Sequence, residues 1–122
     1  MKRTVLIFLI LPIITLSQNK DYKNFDKAVK YNVEGKINKS IKYANKALKN
    51  NPRWSQPNLL LSTIYAKNQK VQLAAEYLLK VYDENNPNDT KGIEEVVKLF
   101  YSNGFYNEAL FYAEKIKTIR IK

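Results

Sequence analysis
Two pairs of neighbouring carboxylates, Asp83/Glu84 and Glu94/Glu95, are the residues whose types could do acid–base chemistry. A general acid and a general base must converge on one reacting group within hydrogen-bond reach. Neighbours on a helix point about 100° apart and do not face each other, so each pair reads as solvated charge. The chain has no His and no Cys. That removes the commonest general base, the common zinc ligands and the activated thiol. No Gly-rich phosphate loop, Gly-x-Ser-x-Gly elbow or Walker pattern is present. Asn38-Lys39-Ser40 and Asn88-Asp89-Thr90 fit the glycosylation sequon, but an Asn-rich chain produces such matches by chance. The residues predict a non-enzyme with no cofactor and no metal.

What remains is binding. Lys and Arg number 21 against 11 Asp and Glu, a formal charge of +10. Such a balance can serve nucleic acid, an anionic surface or an acidic protein. The lysines are spread along the chain and Arg is scarce, whereas phosphate-tracking patches cluster. A low-GC genome, whose codons favour Lys, Asn and Ile, gives the same balance, so nucleic acid is not the expected partner. A cationic module binding a polyanion, either nucleic acid or an anionic envelope polymer, stands as the second reading.

The elements that would position a binding surface come from a repeat. Gly35-Lys-Ile-Asn-Lys-Ser-Ile-Lys-Tyr-Ala aligns with the stretch from Gly104 to Ala113. Gly104 falls under Gly35, Tyr106 under Ile37, Ala109 under Ser40, Tyr112 under Tyr43 and Ala113 under Ala44. A third copy without its glycine begins at Gln69 and carries Val71, Ala74, Ala75, Tyr77, Leu78 and Val81. The spacings are 34 and 35 residues, a period that marks stacked helical repeats. Apolar periodicity predicts helices over about 20–34, 37–49, 55–66, 71–82, a fifth beginning after an Asn88 or Asp89 cap, and 106–119. Gly35 should end the first helix at positive φ. Asn68 should make the equivalent turn in the second copy. Ser55 should cap the third helix with Pro57 in its first turn. Asn50-Asn51-Pro52 and Asn85-Asn86-Pro87 are stops. Ser40, Ala74 and Ala109 mark close helix crossings, opposite Ala28 and Ser62, with Tyr31, Tyr65 and Phe100 filling the space between.

At this spacing the chain resembles the tetratricopeptide repeat (TPR) family, whose repeat is a pair of antiparallel helices of roughly 34 residues. Ala28, Tyr31, Gly35, Ile37, Ser40, Ala44, Ala47 and Pro52 carry the pattern in a first repeat, 21–54. Leu61, Ser62, Tyr65, Ala74, Leu78 and Val81 carry it in a second, 55–89. Phe100, Gly104, Tyr106, Ala109, Ala113 and Ile116 carry it in a third, 90–122; Val97 stands where the family prefers a small residue. The resemblance implies an all-α fold, an α-solenoid of three stacked helix-turn-helix repeats. It also implies a non-catalytic scaffold or adaptor that holds a peptide or helix of another protein in a concave groove. By that resemblance the groove residues are Tyr22, Phe25, Val29, Asn32 and Val33; Gln56, Leu59, Thr63, Ala66 and Lys67; and Lys91, Glu94, Lys98, Tyr101 and Ser102. Members that grip a chaperone's C-terminal carboxylate carry Lys and Asn where this chain has Phe25 and Val29, so that activity is not implied. An apolar stripe such as Tyr22, Phe25 and Val29 also reads as core packing.

Both ends of the chain carry expectations. Lys2 and Arg3, the apolar run Thr4–Leu16 and the Thr15/Ser17 pair form a signal peptide, 1–17, cut before Gln18. Thirteen helical residues span about 20 Å, short of the roughly 30 Å hydrocarbon core, so no permanent membrane anchor is expected. A leader ending in Leu-Ser-Gln resembles those of exported Bacteroidetes proteins, which places the chain in the periplasm or cell envelope, or outside the cell. At the other end, Leu110, Phe111, Ile116, Ile119 and Ile121 cannot all face inward on one helix. An exposed apolar edge at Phe111, Ile116 and Ile119 is therefore expected, available for weak self-association or for the partner.

Overall fold
The computed structural model describes residues 19–81 and 90–121. The chain is all-α: the described residues hold six helices and no strand. They are α1 over 19–33, α2 Ile37–Ala47, α3 Ser55–Lys67, α4 Val71–Val81, α5 Lys91–Ser102 and α6 Tyr106–Ile121. The predicted leader, Asp83/Glu84, the Asn85-Asn86-Pro87 stop, Asn88 and Asp89 lie outside the described residues, as does the side chain of Ile121. The cap position of α5, expected at Asn88 or Asp89, is held by Thr90, because the helix begins at Lys91. Two compact units divide the chain, one ending at Pro52 and the other beginning at Arg53. In the first, α1 and α2 form one hairpin. In the second, α3 pairs with α4, α5 with α6, and α4 packs on α5.

Three turns of the same construction close the three hairpins. Lys36 N–H reaches back to Tyr31 C=O at 2.8 Å and Gly35 N–H to Asn32 C=O at 3.1 Å. The second copy repeats this with Lys70 on Tyr65 at 2.9 Å and Gln69 on Ala66 at 3.1 Å. The third uses Phe105 on Phe100 at 2.9 Å and Gly104 on Tyr101 at 3.1 Å. This six-to-one plus five-to-two pattern satisfies carbonyls that a helix end leaves without partners, and it needs one residue in the left-handed region. That residue is Gly35 at φ 76°, Gly104 at φ 83° and, in the second copy, Gln69 at φ 63°.

The expected turn-maker Asn68 is therefore corrected to Gln69. Asn68 sits at φ −91°, and its Nδ2 donates instead to Ile64 C=O at 3.0 Å. Repeat register, which sets Gln69 under Gly35, outranks the preference of Asn for that conformation. Ser55 is likewise not the cap. It is the first helical residue, Trp54 holds the cap position without a side-chain cap bond, and Asn58 Nδ2 bonds Trp54 C=O at 2.8 Å. Pro57 is buried in the first turn, as expected.

A left-handed conformation costs a residue with a Cβ roughly 1–2 kcal/mol, partly offset by the extra unfolded-state freedom of glycine. Gln69→Gly should thus raise stability by up to about 1 kcal/mol. Gly104→Ala should lower it by a similar amount through the backbone alone, because no atom lies within 4 Å of the added carbon. Chemical denaturation checks both. Opposite signs are expected, and a stabilising Gly104→Ala would contradict the assigned turn.

The helix contacts repeat as the turns do. Ser40, Ala74 and Ala109 are buried, as are Ala28 and Ser62. In the first hairpin the approach is close enough for Ser40 Oγ to donate to Ala28 C=O at 2.7 Å. Val97, the bulkier residue at the matching place on α5, is only half-buried and packs against the cluster of Val71, Ala75, Val96, Phe100 and Ala109. Each hairpin also stacks one ring on another twelve residues on. Tyr31 lies 5.4 Å from Tyr43, Tyr65 5.5 Å from Tyr77 and Phe100 5.8 Å from Tyr112. Such pairs add about 0.5–1.5 kcal/mol beyond the area they bury.

Candidate functional site
A groove of about 490 Å³ opens between α3 and α5, over Leu78 of α4. Helix α3 supplies Leu59, Ser62, Thr63, Ala66 and Lys67; α5 supplies Glu95, Lys98, Leu99 and Ser102. On each helix these residues recur at three- and four-residue steps, so a single face of each borders the groove. Leu59, 45% exposed, is the most open of its apolar residues.

The Thr63 and Ser102 hydroxyls of this groove are committed to their own helices. Thr63 Oγ1 donates to Leu59 C=O at 2.9 Å, and Ser102 Oγ to Leu99 C=O at 3.2 Å. Polar character comes from the rim. Lys98 Nζ meets Glu95 Oε1 at 2.9 Å with both side chains exposed. The Glu95 carboxylate holds the Lys98 ammonium above its ordinary pKa, by the hydrogen bond first and by its charge second. Exposed Lys67 has no ion pair among the described residues. Apolar residues with charged groups at the rim can hold a segment carrying apolar anchors and a few polar partners. They offer no activated nucleophile. Among the described residues no group of acidic side chains could hold a metal ion.

The structure thus brings Leu59, Thr63, Ala66, Lys67, Lys98 and Ser102 of the expected groove together. Other expected members stand elsewhere. Glu94 turns towards α6, accepting from Arg120 Nη2 at 2.6 Å and from Thr90 Oγ1 at 2.8 Å. Tyr101 is 66% exposed and packs edge-on against Tyr106, with ring centroids 5.4 Å apart. Gln56 and Lys91 are exposed on α3 and α5. Tyr22, Phe25, Val29, Asn32 and Val33 lie on α1 in the other unit, with Tyr22, Val29 and Val33 exposed and Phe25 and Asn32 half-buried. The alternative expectation that Tyr22 and Val29 are core does not fit that exposure.

Sequence reasoning missed Glu95, Leu99 and Leu78, and it read Ser62 only as a helix-crossing residue. Glu95, Lys98, Leu99 and Ser102 share one helical phase, a signal that could have found the first two. Leu78 needed the packing of α4 between α3 and α5.

The expected apolar edge takes a narrower form. Leu110 and Phe111 are 61% and 65% exposed, while Ile116 and Ile119 are half-buried. Phe111 also borders a second groove of about 420 Å³, between α4 and α6, with Leu79, Tyr112, Glu76 and Glu108. No helix among the described residues is long and apolar enough to cross a membrane. No protein-family model matches this chain, and a comparison with curated proteins finds no match either.

Proposed function
We propose that the chain is a non-catalytic protein-binding scaffold of the tetratricopeptide type, which holds a peptide or helical segment of another protein between α3 and α5. The observation that carries this reading is the groove itself. Six residues that the family resemblance places in the groove, on two helices whose first residues are 36 positions apart, line one apolar-floored groove. Three hairpins with the same closing turn and the same ring stack support the finer fold, an α-solenoid of repeats over 21–54, 55–89 and 90–122. Export to the periplasm or cell envelope belongs to the same proposal and rests on the leader sequence alone. Intact mass of secreted material tests it: the mature chain should begin at or near Gln18, and retention of Met1–Ser17 would contradict it.

Peptides selected from a random displayed library test the groove. Their affinity should fall at least about tenfold in Leu59→Glu and in Leu99→Glu, a loss of about 1.4 kcal/mol each. It should change little between about 50 mM and about 200 mM salt, because apolar anchors release few counterions. Unchanged affinity in both variants, or a steep salt dependence, would overturn the reading.

A further inference from the structure
The hairpin α1–α2 gathers charge in a way the linear sequence hides. Five exposed lysines stand against two half-buried rings, those of the stacked pair Tyr31 and Tyr43. Lys36 and Lys39 place their ammoniums 5.8 and 5.4 Å from the centre of the Tyr31 ring. Lys27, Lys42 and Lys46 lie 5.2, 6.0 and 4.9 Å from that of Tyr43. One carboxylate among the described residues forms an ion pair with this group: Glu34, 3.4 Å from Lys36. The ion pairs of α5 look different, since Lys98 and Arg120 each meet a glutamate there.

Like charges held this close repel, and each ring contact offsets only about 0.5–1 kcal/mol at an exposed site. An anion of matching spacing would relieve the repulsion and release the counterions that screen it. Lys39, Lys42 and Lys46 run as one stripe along α2, about 10 Å at 1.5 Å per residue. A stripe fits a linear ligand better than a single compact anion. The rings are not free to stack a base, because they already lie on each other and against ammoniums.

We propose that the lysine cluster around Tyr31 and Tyr43 is a binding site for a linear chain of phosphate groups, recognised through charge without reading a base. This site lies on α1 and α2 and does not depend on the peptide groove.

The test titrates the full chain with inorganic polyphosphate and with oligodeoxythymidylate of equal charge, across a salt series. Polyphosphate should bind the more tightly, with a log–log salt slope of about −3 for four lysines without an ion pair. Replacing Lys39, Lys42 and Lys46 together by Gln should lower the magnitude of that slope by about 2 and weaken binding at least about tenfold. These side chains are exposed, so helical content by circular dichroism should stay at the wild-type level. A control with Lys70, Lys115 and Lys117 changed to Gln removes the same charge from exposed positions elsewhere and should keep most of the affinity. Equal weakening by the control would show that net charge alone drives binding and would overturn the site. Tighter binding of oligodeoxythymidylate would show that the rings do take bases, and absence of any polyphosphate binding would end the proposal.

Discussion
Phe100→Ala should cost about 3–5 kcal/mol, the range for removing a buried aromatic ring. Phe100 is 3% exposed in the cluster with Val71, Ala75, Val96 and Ala109. Its ring stacks on Tyr112 at 5.8 Å and meets Phe105 edge-on at 6.1 Å. Its carbonyl also receives the closing bond of the third turn. One substitution thus opens a cavity at the place where α4, α5 and α6 meet. Domains are stable by about 5–15 kcal/mol, so a large part of the total would go. The neighbouring Tyr101→Ala, at an exposed ring with one edge contact, should cost no more than about 1 kcal/mol. Thermal midpoints of the two variants check the contrast, and equal midpoints would place Phe100 outside the core.

Ala109→Leu tests the same unit by overfilling it. Ala109 is 5% exposed and lies where α6 approaches the body of the unit. Three added carbons should force neighbouring side chains off their rotamers and cost about 1–3 kcal/mol. Lys117→Leu, at an exposed position on the same helix, should cost under about 0.5 kcal/mol. Equal midpoints would mean that the repeat register does not mark helix crossings.

The sequence disclosed what depends on backbone geometry and on small residues. Gly35 and Gly104 announced two turns because a left-handed residue is easiest for glycine. Ser40, Ala74 and Ala109 announced buried positions because small residues recur there in each copy of the repeat. Gln69 escaped as the turn residue because its side chain carries no such preference, and only alignment with the other copies points to it. The groove positions came from the family resemblance. Leu59, Thr63 and Lys67 on α3 and Lys98 on α5 do line one groove, but Glu94 and Tyr101 sit a fraction of a turn away and meet Arg120 and Tyr106 instead. The lysine cluster was hidden for another reason. Evenly spread lysines looked like composition until Tyr31 and Tyr43, twelve residues apart, met across a hairpin and drew five of them together.

The most direct test of the scaffold reading is to locate a bound peptide. Backbone amide resonances of the isotopically labelled chain, followed during titration with a library-selected peptide, report which helices it touches. The account predicts saturable shifts concentrated on Leu59–Lys67 of α3 and Glu95–Ser102 of α5, the two sides of the groove. Shifts confined to α4 and α6, or to the lysine stripe of α2, would contradict it.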